Sequence, residues 1–173
     1  MGTVLFETRR LRCRQWDVAD LEPLFAVYSD AEAMRWVGDG EPISRQACKE
    51  WLEVSKNNYL KRGYGMFALE ESHTGVVVGF CGLVHPGGQE EVEVKYAFLR
   101  SRWGEGLASE AIPALLSYGA STHSMVKAIA TVASENMASQ RVLLKSGMQL
   151  AAVRSNANGS STHVYEWLSQ NAA

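Results

Sequence analysis

The chain has 173 residues, 46% of them apolar, and a formal net charge of −2. The lack of a basic excess argues against a nucleic-acid partner, and no apolar stretch approaches the roughly 20 residues that cross a bilayer. The N-terminus lacks the basic and apolar regions of a signal peptide, and the three cysteines have neither metal-ligand nor disulfide spacing. We therefore expect one domain over residues 1–173, located in the cytoplasm, without a metal, membrane or nucleic-acid partner.

The first half of the chain is predicted to contain a strand, two helices and an antiparallel meander of three strands. The strand over 11–15 is expected to begin the ordered chain, and the arginines at positions 9, 10, 12 and 14 are expected to form a solvated strand face. The other elements are a helix that starts at Asp17 or Asp20, a helix from the N-cap Ser44 towards Leu60, and strands over 64–69, 76–84 and 92–99.

The pattern changes in the second half to alternating strands and helices. Leu107 begins a helix that extends to Tyr118, and a second helix over 136–146 is closed by Gly147. Strands are predicted over 127–133, 149–153 and 162–167, with a polar loop over 155–161 between the last two. Strands followed by strand-helix alternation indicate an α+β fold, with a mixed, mostly antiparallel central sheet flanked by helices.

The segment from Trp103 to Ala108 lies between a predicted strand and a predicted helix. Its two glycines allow a tight turn and a close approach of ligand to backbone, and the free N–H groups at a helix N-terminus suit a diphosphate. A dinucleotide-binding motif would need glycine at Ser109 and an acid about 20 residues further on, which the chain lacks. The Gly-Lys-Ser/Thr of a Walker-type loop is also absent from the sequence.

This segment resembles the Q/R-x-x-G-x-G/A signature of the GNAT superfamily of N-acetyltransferases. Gly106 and Ala108 match, while Trp103 stands where the signature has Gln or Arg. The run over 103–111 is similar to the branch that includes the ribosomal-protein N-terminal acetyltransferases, and so are Asn-Met-Ala-Ser at 136–139, Lys-Ser-Gly-Met at 145–148 and the opening Arg-Leu-Arg at 10–12. The similarity covers about residues 8–167 and implies a GNAT-like acyl-CoA N-acyltransferase fold.

The resemblance implies transfer of an acetyl group from acetyl-CoA to a primary amine, by direct attack in a ternary complex. The strand that ends at Leu99 is expected to splay from the next strand and to offer peptide groups to the pantetheine arm and the thioester carbonyl. The expected cofactor-binding residues are Ala97, Phe98, Leu99, Arg102, Trp103, Gly104, Glu105, Gly106, Leu107, Ala108, Ser109, Asn136 and Ser139. The acceptor, a small-molecule amine or a protein N-terminus, is expected in a pocket built by the loop over 34–43, the early helices and the loop over 155–161.

Two residues are candidates for catalysis on the strength of this resemblance. Glu93 is the candidate general base, with a surface carboxylate, or one that only binds a cationic acceptor, as the alternatives. Ser139 is the candidate donor to the departing thiolate, against a plain helix residue or an N-cap contact. Asn136 is expected to bond the CoA arm, to cap its helix, or both. The chain departs from the superfamily pattern at Leu143, where a proton-donating Tyr is frequent, and at Lys95, where Gly is usual.

Two other functions fit parts of the sequence. A non-catalytic acyl-CoA-binding or sensor domain would keep the turn over 103–108 but would not need Glu93 and Ser139. A small protein-interaction domain without a nucleotide ligand would need neither of the two ordered motifs. The sequence leaves both a monomer and a homodimer open.

Overall fold

The computed structural model describes residues 2–170, which form an eight-stranded sheet flanked by five helices. The strands are β1 (Val4–Glu7), β2 (Leu11–Gln15), β3 (Met66–Glu71), β4 (Val77–Val84), β5 (Glu93–Phe98), β6 (Lys127–Ala133), β7 (Gln149–Ser155) and β8 (Ser161–Leu168). The helices are α1 (Leu21–Tyr28), α2 (Ala31–Met34), α3 (Arg45–Arg62), α4 (Leu107–His123) and α5 (Met137–Lys145). The order of strands across the sheet is β1-β2-β3-β4-β5-β6-β8-β7.

The helices cover the two faces of the sheet separately. One face packs on α1–α3 through residues such as Leu24, Phe80 and Ala97, and the other packs on α4 and α5 through residues such as Val94 and Leu115. Side chains of a strand alternate between faces, so Val94 and Phe98 of β5 point towards α4 and α5, while Glu93, Lys95 and Ala97 point towards α1–α3. Within residues 2–170, no helix combines the length and the apolar character that a membrane crossing requires.

The predicted α+β class and mixed sheet are confirmed, and the meander β3–β4–β5 is antiparallel as expected. Helix α1 begins at Leu21, directly after Asp20, while Asp17 caps the short 3-10 turn that precedes it. The prediction that 11–15 begins the ordered chain was wrong, because β1 comes first and pairs with β2. Helix α2 was also missed. Both elements have only four residues, which is too short to show a hydrophobic period.

The prediction of a solvated arginine face was wrong for Arg14. Arg14 is 5% exposed, and its side chain lies between two buried carboxylates. Its guanidinium donates to Asp20 (Nη1 to Oδ2, 2.7 Å) and to Glu70 (Nε to Oε2, 2.7 Å). The half-buried Arg12 pairs with Glu70 as well, and with Glu7 on β1. The guanidinium groups of Arg12 and Arg14 therefore pair with carboxylates on neighbouring elements instead of facing solvent alone.

The parallel pair β5–β6 separates almost as soon as it forms. Its one paired position is Glu93 with Ile129, where the Ile129 N–H also donates to the carbonyl oxygen of Val92 (2.8 Å). The other neighbouring strands in the described residues pair along most of their lengths. The sheet therefore has a splayed gap between β5 and β6, as the resemblance implies, and the gap opens towards the N-terminus of α4.

Candidate active site

The cofactor turn, residues 103–108, connects the end of β5 to α4. Gly104 and Gly106 have φ values of 78° and 76°, a conformation that other residues adopt only at a cost. Gly106 is the N-cap of α4, and no described side chain caps this helix end. The N–H groups of a first helical turn lack intrahelical partners and suit an anion. A Cβ on Gly104 would meet no atom within 4 Å, so a ligand has room to approach the backbone.

Two arginine side chains contact the cofactor turn from either side. Arg102 pairs with Glu71 and with the exposed Glu105 (Nη2 to Oε2, 3.2 Å). Arg10 donates from Nη1 to the Glu105 carbonyl oxygen (2.8 Å) and from Nε to Glu110 Oε2 in the first turn of α4 (2.7 Å). Sequence analysis did not assign Arg10 to the site, because 100 residues separate it from Glu110 and no local pattern signals a contact over that distance.

Glu110 joins the turn between β1 and β2 to the start of α4. Its Oε1 accepts hydrogen bonds from the Thr8 hydroxyl (2.6 Å) and from the backbone N–H of Arg10 (2.7 Å). Burial raises the pKa of the Glu110 carboxyl, but the hydrogen bonds from Thr8 and Arg10 outweigh burial and leave the pKa below its ordinary value of 4.5. The contact is therefore a charged one at neutral pH.

Trp103 connects the cofactor turn to the end of β5. Its indole N–H donates to the carbonyl oxygen of Phe98 (3.0 Å), and half of its surface is exposed. Because Phe98 is the last residue of β5, this bond fixes the end of the strand against the turn. A donor side chain thus remains where the GNAT signature has Gln or Arg.

The peptide groups of β5 alternate between its two neighbouring strands. The Leu99 N–H donates to the carbonyl oxygen of Val78 beside it (2.9 Å), and hydrogen-bonded pairs alternate along an antiparallel ladder. The peptide groups of Ala97 and Leu99 therefore face β4, whereas those of Tyr96 and Phe98 face β6. Since pairing with β6 ends at the first residue of β5, it is Tyr96 and Phe98 whose peptide groups border the gap.

Asn136 and Ser139 lie at the N-terminus of α5, on the other side of the gap. Asn136 caps the helix, since its side-chain oxygen accepts from the Ser139 N–H (3.2 Å). The Ser139 hydroxyl lies 2.5 Å from the Tyr96 hydroxyl of β5. Leu143, one turn further along α5, is 1% exposed and packs in the core. Tyr96 was not among the predicted site residues, because its partner is 43 residues away along the chain.

Glu93 is buried, with 3% of its surface exposed, so the alternative of a surface carboxylate was wrong. Its Oε1 accepts from Lys95 Nζ and from the Thr131 hydroxyl of β6, each at 2.5 Å. Its Oε2 accepts from the Gln89 side-chain amide (3.3 Å). The carboxylate thus lies at the closed end of the gap, held by one cation and two neutral donors.

A polar cleft of about 380 Å³ adjoins Glu93 on the face of α1–α3. Lys95 and Thr131, which hold the Glu93 carboxylate, also line this cleft. Its other walls come from the segments over 35–40 and 156–162, the two loops between which the acceptor is expected. Arg35 lies over the ring of Trp36, 4.8 Å from its centroid, and both side chains line the cleft. Two loops and the sheet therefore enclose a space next to a buried carboxylate.

Comparison with known proteins agrees with this arrangement. Residues 10–149 match the family described as Acetyltransferase (GNAT) domain. YoaA, an uncharacterized N-acetyltransferase of Bacillus subtilis strain 168, is 30% identical over 151 residues, which are 86% of this chain and 85% of YoaA.

Two solved structures share the fold. A GNAT-family acetyltransferase from Bacillus anthracis has a TM-score of 0.82 at 22% identity, and the match covers 96% of this chain and 98% of that one. RimL, the ribosomal L7/L12 alpha-N-protein acetyltransferase, was solved in complex with coenzyme A, and it has a TM-score of 0.82 at 16% identity with the same coverage. The family match covers most of the chain, and the fold and the N-acetyltransferase relative agree with it. The chain therefore belongs to the GNAT family and is an acetyl-CoA-dependent N-acetyltransferase.

Proposed function

We propose that the chain acetylates a primary amine by direct attack on acetyl-CoA in a ternary complex. The observation that carries the proposal is the gap between β5 and β6, which opens beside the glycine-capped N-terminus of α4. The diphosphate binds the N–H groups at residues 104–109, and the pantetheine arm follows the Tyr96 and Phe98 peptide groups along β5. Binding both reactants in one geometry removes much of the entropic barrier to the reaction.

The amine enters from the polar cleft and meets Glu93 at the closed end of the gap. An amine is mostly protonated at neutral pH, so a base must remove a proton before attack. The Lys95 ammonium donates to Glu93 Oε1, at the position where we expect the acceptor ammonium to bind. The Lys95 side chain is 36% exposed. The acceptor ammonium displaces the Lys95 ammonium from this carboxylate, and Glu93 then takes its proton. Thr131 and Gln89 keep the carboxylate oriented during the exchange.

Ser139 acts on the leaving group. Its hydroxyl is on the side of the gap opposite β5, at the start of a helix whose first N–H groups favour negative charge. The departing thiolate is a weak base, with a thiol pKa near 8.5, so one hydroxyl donor suffices to stabilise it. Asn136 holds the backbone of this first turn through its cap, and Leu143 supplies no second hydroxyl.

The class of acceptor follows from the relatives and the cleft together. RimL is named for the α-amino group of a ribosomal protein, and a protein N-terminus or a small-molecule amine both present a primary ammonium. The cleft of about 380 Å³ admits one residue or a compact amine. Its polar walls, from Arg35 and Asp39 to Asn156 and Ser160, favour a hydrophilic acceptor over an apolar one.

Two measurements on the purified chain test the proposal. Calorimetric titration with acetyl-CoA is expected to show one molecule bound per chain. Thiol release is then expected to accelerate with at least one member of a panel of small amines and peptides with free N-termini. Binding without any amine-stimulated release would favour the sensor alternative, and absence of binding would contradict both functions.

Glu93→Gln tests the base. We expect kcat to fall about 100-fold, the lower range for loss of a general acid-base group, and the acidic limb of the pH-rate profile to disappear. Glu91→Gln is the control, because Glu91 is an exposed carboxylate two residues before Glu93, outside β5, and its loss should leave the rate and the pH profile unchanged. An unaltered pH profile in the Glu93 variant would refute its role as the base.

A further inference from the structure

The contact between Tyr96 and Ser139 joins β5 to α5, the helix that follows β6. It therefore links a strand that borders the gap to the helix that carries the candidate donor to the thiolate. The oxygen atoms are 2.5 Å apart, at the short end of the range for O–H···O hydrogen bonds. Only one hydroxyl proton can lie between them, and the other is free for a different acceptor.

The chemistry of the two groups decides which hydroxyl donates. A phenol is a stronger acid than an aliphatic alcohol and is therefore the better hydrogen-bond donor. Among the described residues, the Tyr96 hydroxyl has one further acceptor nearby, the Ser139 carbonyl oxygen at 3.5 Å, which is beyond the usual range for such a bond. Tyr96 thus donates to Ser139 Oγ, and the Ser139 proton is directed away from β5.

Tyr96 stays protonated under all ordinary conditions. Burial raises the pKa of its phenol to about 12, against a small opposing effect of the Ser139 hydrogen bond. A thiolate whose conjugate thiol has a pKa near 8.5 cannot take a proton from such a phenol without a large free-energy cost. The pair therefore acts through hydrogen bonds, with both protons retained on their oxygens.

We propose that Tyr96 is a positioning residue that orients the Ser139 hydroxyl towards the sulfur atom of the departing CoA. The inference rests on the proposed function, and it explains how the site works with Leu143 on α5. When the C–S bond breaks, its electron pair goes to sulfur, and the thiolate accepts the hydrogen bond from Ser139. The thiolate takes its proton from solvent after release, so neither hydroxyl is consumed.

Three variants test this inference by kinetics: Tyr96→Phe, Ser139→Ala and the double variant. A hydrogen bond to a charged group contributes a free energy that corresponds to about tenfold or more in rate. Without Tyr96, the Ser139 hydroxyl is no longer directed at the thiolate, so we expect the kcat of Tyr96→Phe to fall about tenfold. The KM for acetyl-CoA should remain within about twofold, since the bond acts on the leaving group. The double variant should be no slower than Ser139→Ala, because Tyr96 acts only through Ser139.

A second readout needs no turnover. The ultraviolet absorbance of the thiolate reports the pKa of the CoA thiol in its binary complex with the protein. A hydrogen bond to the thiolate lowers this pKa, so the wild-type complex should titrate at lower pH than either single variant, and the two variants should match each other.

Tyr165→Phe is the matched control. Tyr165 is a buried tyrosine that also bonds α5, but its hydroxyl donates to Gln140 Oε1 (3.2 Å), on the residue next to Ser139. This substitution removes a tyrosine hydroxyl from a different contact with the same helix and leaves Ser139 untouched, so kcat and the thiol pKa should stay at wild-type values.

The outcomes separate the two proposals. If the wild-type protein turns over, Ser139→Ala is slow and Tyr96→Phe keeps the full rate, the Tyr96 inference alone is overturned. Additive losses in the double variant, or a thiol pKa that the variants do not shift, would overturn it as well. If no amine stimulates thiol release, the proposed function fails, and the thiol titration still decides whether Tyr96 directs the Ser139 donor. If CoA does not bind, both proposals fail.

Discussion

At the scale of single residues, the conformation of Gly106 controls the cofactor turn. A Cβ at this position would meet only Arg10 Nη2, at 3.8 Å, so space is not the obstacle. Its φ of 76° is the constraint, because a left-handed conformation costs other residues roughly 1–2 kcal/mol. We expect Gly106→Ala to relax the turn and to weaken acetyl-CoA binding about tenfold, the equivalent of 1.4 kcal/mol.

The control for this substitution is Gly75→Ala. Gly75 has a φ of 70° and open space around its Cβ position, but it lies in the turn between β3 and β4. Both variants should lose a similar free energy of unfolding in urea, and only Gly106→Ala should lose affinity in calorimetry. Equal affinity of the two variants would place the diphosphate elsewhere.

At the scale of elements, Arg10 and Glu110 attach the β1–β2 turn to the start of α4. Arg10→Ala removes the side-chain donors to Glu110 Oε2 and to the Glu105 carbonyl oxygen, whereas the Thr8 hydroxyl and the backbone N–H of residue 10 still donate to Glu110 Oε1. The cofactor turn then loses its support on one side, and a cation beside it disappears. We expect acetyl-CoA affinity to fall about fivefold to tenfold, in line with the loss of a charged hydrogen bond. Arg9→Ala should change affinity little, since it removes the same charge from an exposed neighbour.

The pH dependence of this contact has a defined sign. The pKa of Glu110 is lower in the folded protein than its ordinary 4.5, so its contribution to stability is complete above pH 4.5 and is lost as pH falls through the lowered value. The Arg10 effect on binding should therefore persist to pH 4.5. If the effect of Arg10→Ala on binding disappeared nearer neutral pH, the contact of Arg10 with Glu110 would not be its cause.

Elements with a long hydrophobic period were predictable from the sequence, while contacts between them were not. The meander, α4 and α5 show their periods locally, and the glycine turn showed its geometry through residue type. The short β1 and α2 have no period. Tyr96 and Arg10 act through partners 43 and 100 residues away. Arg14 is predicted to be solvated from its sequence pattern, but in the fold Asp20 and Glu70 pack against it. Only the folded chain brings such partners together.

At the scale of the whole molecule, the single β5–β6 pair divides the sheet into two parts. Strands β1–β5 form one continuous antiparallel part of the sheet, and β6, β8 and β7 form the other part. A cofactor in the gap contacts both parts, so its binding energy should stabilise them together. At a concentration 100 times its Kd, a ligand that binds only the folded state adds about 2.7 kcal/mol to the free energy of unfolding.

Amide hydrogen exchange can locate this effect to a single residue. The Phe98 N–H faces the gap, whereas the adjacent Leu99 N–H already donates to Val78 on the β4 side. We expect acetyl-CoA to slow exchange at Phe98 well beyond the change at Leu99, because the pantetheine arm supplies the acceptor that β6 does not. The edge strands β1 and β7 lie far from the gap in the sheet order and should change only as much as global stability does. Equal protection of Phe98 and Leu99 would mean that the ligand stabilises the fold without following β5, which would contradict the proposed route of the pantetheine arm.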